Sequence, residues 1–331
     1  MNLSNLDKFA AVADIRAGLS LKEEQHIENG GSKPQLHPPE RPLPEMEPLC
    51  RRGGKALKLA FNTWVYSSFP VWVPAYPLEE VIKRLSRIGY DGIEIGAASP
   101  HAYPDYLSAE RRREIKSVLD DNGMALASML PAPGGGPGFN VAAENPIERA
   151  DAIEQYKKVA ELCADWGGKT LLYVAGWQVF GTSRATAWAR SAEALAQIAD
   201  FCAPLGITVA VEPTAADSNL IDSCDDLITM MAEVDKPNVK AMFDTFHTLY
   251  RDEVPTDYVH RLKRDLVHIH LADVDREPPG SGIVDYRSLI DALKTEGFDG
   301  YLTMEIGFNR RAVEPDDLAR RAHDHIRALL A

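Results

Sequence analysis

Eight short apolar runs, each followed by a longer stretch of helical period, constrain this chain more than any other feature of its sequence. The runs are Leu57–Asn62, Gly92–Ile95, Met124–Met129, Thr170–Val174, Thr208–Glu212, Val239–Asp244, Leu266–Leu271 and Tyr301–Glu305. Runs of this length and apolarity read as strands buried on both faces. Amphipathic stretches at about 77–88, 108–122, 146–166, 184–204, 222–234, 256–264, 285–296 and 315–330 read as helices, several opened by a capping side chain such as Ser108, Asp222 or Asp285. Strands separated by helices must run parallel, and eight such units predict an α/β fold, a (β/α)8 TIM barrel. The rival is an open doubly wound sheet. It would carry a glycine-rich dinucleotide fingerprint after its first strand, where Asn62-Thr63-Trp64-Val65-Tyr66 stands instead.

Residues 1–54 follow a different rule. After one helix-like stretch from Leu6 to Leu21 come Pro34, Pro38, Pro39, Pro42, Pro44 and Pro48, too many for regular helix or sheet. The chain therefore reads as a Pro-rich N-terminal arm (1–54) and a barrel (55–331). The net charge is −13 from 49 acidic and 36 basic residues. The basic runs are short, such as Arg111-Arg112-Arg113, so no patch offsets repulsion from a phosphate backbone and nucleic acid is excluded as a partner. With no run of about 20 apolar residues and no secretory pattern, the expectation is a cytoplasmic protein without membrane contact. Cys50, Cys163, Cys202 and Cys224 are scattered and read as free thiols.

In a barrel of this kind the reactive site lies where the strands end. The last four strands all end on a polar side chain: Glu212, Asp244, His270 and Glu305. A carboxylate closing an apolar strand is costly to desolvate unless it meets a cation. Three of them with an imidazole at one mouth imply a divalent metal, and the oxygen-rich set suits Mn²⁺, Co²⁺ or Mg²⁺, with Zn²⁺ also admissible. His268 shares a strand face with His270 but lies one layer deeper, where it reads as a hydrogen-bonded core histidine. His247 follows Asp244 in what should be a loop. Arg276 follows His270 past Asp273 and Asp275, and either reaches a substrate above the metal or pairs with those aspartates at the surface. After the first strand, Trp64, Tyr66, Phe69 and Trp72 are suited either to stacking on a ring of a ligand or to packing beneath the rim. After the third, the segment from Pro131 to Gly138 reads either as a lid or as a plain surface loop, and it lacks the Lys-Ser/Thr of a phosphate loop.

The series Glu212, Asp244-Thr-Phe-His247, His270 through Arg276, and Glu305 resembles the metal-dependent sugar isomerase and epimerase family with a xylose-isomerase-like barrel, most of all its ketose 3-epimerase branch, over residues 57–330. The resemblance implies one divalent metal, usually Mn²⁺ or Co²⁺, held by Glu212, Asp244, His270 and Glu305, with His247 and Arg276 on the sugar oxygens. Gly89-Tyr90-Asp91-Gly92-Ile93-Glu94-Ile95 is similar to the family's second strand, which implies that Glu94 lies near the substrate. One position departs: where that branch carries a second glutamate six residues after the first, this chain has Ser218, leaving Asn219 or Asp217 to hold the hydroxyl. The departure favours a larger or modified sugar over a free ketohexose.

The chemistry expected is proton abstraction beside a ketone. Two glutamates on different sides of the substrate, Glu212 and Glu305, epimerise the centre, whereas one glutamate acting alone would isomerise it. With a 3-oxo glycoside, the same first step can expel the group two carbons away. That makes a lyase, of the kind that cleaves carbon–glycosides, the alternative, with the arm docking a second subunit. A non-catalytic sugar-binding protein is the alternative of another class. A homo-oligomer acting on a small-molecule sugar or sugar conjugate is the expected assembly.

Overall fold

The computed structural model describes residues 56–67, 74–132, 139–307 and 313–331. The arm, Cys50, Phe69, Trp72 and most of the Gly-rich loop fall outside the described residues. Eight parallel strands close into a barrel in chain order. They are β1 (Lys58–Asn62), β2 (Gly92–Ala97), β3 (Ala125–Pro131), β4 (Thr170–Val174), β5 (Thr208–Glu212), β6 (Val239–Asp244), β7 (Leu266–Leu271) and β8 (Tyr301–Met304). The helices are α1 (Leu78–Ile88), α2 (Ala109–Asp121), α3 (Pro146–Asp165), α4 (Arg184–Cys202), α5 (Cys224–Val234), α6 (Thr245–Tyr250), α7 (Pro255–Leu262), α8 (Tyr286–Glu296) and α9 (Pro315–Leu330).

Local chemistry sets the helix starts. Ser108 accepts from Arg111 N at 3.1 Å and Asp285 from Ser288 N at 3.0 Å, as their residue types predict. At α5 the cap is Ser223 rather than Asp222: Asp226 N donates to Ser223 Oγ, and Asp226 Oδ2 accepts from the backbone N of Asp222, one residue before the cap. The loop expected after β6 is in fact the short helix α6, capped by Asp244 itself, whose Oδ1 accepts from Phe246 N at 2.8 Å.

Side chains alternate along each strand. Phe61, Ile93, Ile95, Leu171, Tyr173, Val209, Val211, Phe243, Ile269 and Leu302 point out and are buried against the helices. The inward residues divide the barrel. Leu130, Leu172, Ala210 and Met242 form an apolar side with Trp64, while Asn62, Glu94, Ser128, His268 and His270 are buried and polar. Two register shifts align the polar side. Between Ile93 and Glu94 the β2–β3 pairing skips a residue and sets Glu94 opposite Ser128, and between Ala241 and Met242 the β6–β7 pairing skips another and sets Asp244 opposite His270. Cys163, Cys202 and Cys224 are free and buried. Among the described residues no helix is long and apolar enough to cross a membrane.

Candidate active site and metal centre

Glu212 ends β5, Asp244 ends β6, His270 lies near the end of β7, and Glu305 follows β8 by one residue. One ligand atom from each of the four lies within 4.8 Å of the others, and all four residues are buried. His270 Nδ1 stands 3.2 Å from Glu305 Oε2, 3.5 Å from Glu212 Oε1 and 4.0 Å from Asp244 Oδ2. Among the described residues, His270 Nδ1 and Glu212 Oε1 find no hydrogen-bond partner. Two orphaned buried atoms facing one centre, within a set of three oxygens and one nitrogen, fit a divalent cation.

The electrostatics are uneven. Burial lifts the Glu212 carboxyl to about 7, with His270 opposing and Glu305 and Asp244 adding to the rise. Burial likewise takes Asp244 to about 6 against the pull of Arg276. For Glu305 burial acts upward too, but the charges of His270 and Arg276 outweigh it and hold the carboxyl at about 2. Burial works against a proton on His270, yet Glu94 and Glu305 keep that ring protonated well above the usual imidazole range.

Arg276 is inside this ring and not at the surface. Its guanidinium is buried, donates to Asp244 and, at 2.7 Å, to Glu305 Oε2, and stacks 4.3 Å over the Phe246 ring. The residue holds a φ of 59°, in a loop gathered around one carboxylate. Asp273, fully buried, accepts from the backbone N–H groups of Val274, Gly280, Ile283 and Val284 at 2.8–3.4 Å. Gly282 is required there, since a Cβ would overlap the Asp273 carboxylate.

His247 sits on α6 and is buried. Its Nδ1 accepts from Ala216 N at 3.2 Å, which puts the hydrogen on Nε2, 3.4 Å from both Arg276 Nη2 and Asp217 Oδ2. Burial and the Arg276 charge hold this imidazole neutral. Asp217, exposed at the rim, also lies 3.7 Å from Arg276 Nη2.

Two expected substrate residues, Glu94 and Asn219, sit elsewhere than the mouth. Glu94 is fully buried beneath it, with both oxygens engaged by Asn62, Ser128, His268 and His270. His268 is the hydrogen-bonded interior histidine that its register predicts. Asn219 is exposed, and its side-chain amide both accepts from and donates to the Gln178 backbone, tying two loops together. Trp64 is buried over Gly96, where any Cβ would overlap its ring, and forms an apolar wall with Ala98, Leu130 and Ala132. Tyr66 is core: it is fully buried, donates to Asp316 Oδ1 at 2.8 Å and meets Phe61 edge-on. Sequence reasoning missed Asn62, Ser128 and Asp273. Asn62 had a signal, because it ends β1 as Glu212 ends β5.

Comparison with known proteins places the chain among sugar epimerases in sequence and fold. The fructoselysine 3-epimerase of Escherichia coli O157:H7 is 27% identical over 260 residues, 77% of this chain and 94% of the relative. The 3-dehydro-D-guloside 4-epimerase of Escherichia coli K12 is 24% identical over 236 residues, 68% of this chain and 86% of the relative. Among solved structures, D-psicose 3-epimerase with D-tagatose from Clostridium cellulolyticum H10 superposes with a TM-score of 0.72 at 21% identity, covering 83% of this chain and 99% of that one, which attests the fold. The family model described as xylose isomerase-like TIM barrel matches residues 82–329. The chain belongs to the xylose isomerase-like TIM barrel family.

Proposed function

We propose that this protein is a divalent-metal-dependent epimerase of a keto-sugar, which removes the proton beside the ketone and returns it to the opposite face. The observation that carries the reading is the pair Glu212 and Glu305: carboxylates from strands three places apart in the barrel, meeting around His270 Nδ1 in environments that, without a cation, push one up to about 7 and hold the other at about 2. Glu212, Asp244, His270 and Glu305 would hold the metal, for which Mn²⁺ is the best match. When bound, the cation supplies positive charge beside the ketone and its neighbouring hydroxyl, which lowers the cost of an enediolate.

The protein's own groups do the rest. One glutamate takes the proton from one face and the other delivers a proton to the opposite face, so running the reaction backwards exchanges their roles. Neutral His247 offers Nε2–H, and Arg276 its guanidinium, to sugar oxygens. Trp64 closes the apolar side of the mouth. Ser218, in place of a longer acidic side chain, leaves room for a substituent, in keeping with relatives named for fructoselysine and a 3-dehydro-D-guloside.

The test is incubation in D₂O with Mn²⁺ and a panel of free ketoses and 3-oxo glycosides, followed by NMR. Deuterium at an inverted carbon is the expected result. A released aglycone would make the protein a lyase, and no exchange with any ketone would remove proton abstraction altogether.

A further inference from the structure

Glu94 lies beneath the mouth with neither oxygen idle. Oε1 accepts from Asn62 Nδ2 at 2.6 Å and stands 2.8 Å from His270 Nε2. Oε2 accepts from the Ser128 hydroxyl and stands 2.9 Å from His268 Nε2. An ionised carboxylate only accepts, so each ring nitrogen facing it carries its hydrogen. In His270 that keeps a hydrogen on Nε2, so the proton the ring gives up to become a ligand is the one on Nδ1, which faces the centre formed by Glu212, Asp244 and Glu305, 3.2–4.0 Å away.

Strand register builds this arrangement. Asn62 is the lateral partner of Glu94, and the shift after Ile93 brings Ser128 to its other side, so three neighbouring strands put two donors and their acceptor in one row. Glu94, His268 and His270 also have the composition of a metal site. Their facing atoms are already hydrogen bonded to one another, which leaves His270 Nδ1 as the coordinating face.

We propose that Glu94 is a positioning residue: it fixes the tautomer and ring orientation of His270 so that Nδ1 meets the divalent cation, and Asn62 carries its hold across to Glu305. Asn62 Nδ2 also reaches Glu305 Oε1 at 3.4 Å, so one amide links the orienting carboxylate to one of the two acid–base glutamates. A histidine ligand depends on such a partner because its other ring nitrogen decides which tautomer is present. The inference rests on the four-residue metal reading and goes beyond it, since it makes affinity depend on a carboxylate that does not touch the cation.

The experiment is calorimetric titration of the full-length metal-free protein with MnCl₂. Wild type is compared with Glu94→Gln, Ser128→Ala and Glu212→Ala, each checked for wild-type far-UV circular dichroism. In Glu94→Gln the amide can donate to His270 Nε2 and drive the hydrogen onto Nδ1, so binding should weaken by roughly 10–100-fold. Ser128→Ala keeps the charge and loses one supporting donor, and should weaken binding less. In the Mg²⁺-loaded wild type, long-range ¹H–¹⁵N spectra of ¹⁵N-histidine protein should show His270 with its hydrogen on Nε2; a hydrogen on Nδ1 would overturn the proposal even if the Glu94 variant failed to fold. If Mn²⁺ does not bind wild type, or binds Glu212→Ala equally well, the metal reading falls and this inference with it. If binding is lost in Glu212→Ala but unchanged in Glu94→Gln, the role of Glu94 alone falls.

Discussion

Arg276 Nη1 donates to Glu305 Oε2 at 2.7 Å, so a guanidinium stands within the same carboxylate cluster that would hold a metal. The two positive charges then compete for Asp244 and Glu305. Arg276→Ala should raise Mn²⁺ affinity by about tenfold or more, since unit charges roughly 5 Å apart at an effective dielectric near 20 interact by about 3 kcal/mol. The same variant should lose keto-sugar turnover because the sugar oxygens lose their cationic donor. Calorimetry and a turnover assay moving in opposite directions would support both halves, and unchanged Mn²⁺ affinity would show that Arg276 does not oppose the metal.

Glu305→Gln preserves size and keeps one hydrogen-bond acceptor while removing the proton-transfer group. Deuterium exchange from solvent should fall by about 10²–10⁴-fold, the usual contribution of a positioned acid or base. Thermal unfolding should remain a single transition. Exchange at the wild-type rate would exclude Glu305 from proton transfer.

The pH dependence of metal binding follows from the raised groups. Without a cation, Glu212 titrates near 7 and Asp244 near 6, and His270 holds its proton well above the usual imidazole range. Each must lose its proton to become a ligand, so affinity rises with pH. The apparent Kd for Mn²⁺ should drop at least about tenfold from pH 6 to pH 7 and keep falling above 7 as His270 deprotonates. Titrations in buffers of different ionisation enthalpy should register proton release, and a flat profile would contradict the assignment of these ligands.

Asp273 acts through the loop that carries Arg276. Asp273→Ala would take the acceptor from four backbone N–H groups on residues partly open to water, so each loss falls near the lower end of about 1–3 kcal/mol. With some relaxation, a loss of about 3 kcal/mol in urea unfolding is expected, together with a raised KM as Arg276 loses its seat. A raised KM in Asp273→Ala with Mn²⁺ affinity near wild type would separate this loop effect from damage to the metal centre.

The barrel was legible because its evidence is local. Apolar runs and helical periods are properties of neighbouring residues, and all eight expected strands agree with the structure to within two residues at each end. The four strand-end residues were legible for the same reason: parallel strands of one barrel finish at one mouth, so equivalent positions converge. The depth of Glu94 was not legible, because a resemblance gives a strand and a residue type but not a depth. Its position between Ile93 and Ile95 on a fully buried strand, and a histidine two residues before His270, were the available clues.

What the sequence determined by itself, then, is the eightfold alternation and the polar residue that ends each of the last four strands. Tertiary structure decided how those side chains face one another. Two skipped residues in the strand register set Glu94 beside Ser128 and Asp244 beside His270, and a loop pinned by Asp273 turns Arg276 inward. Those outcomes depend on pairings between segments distant in the chain, in a buried interior where each unpaired charge costs several kcal/mol. Such a constraint acts only once the barrel has closed.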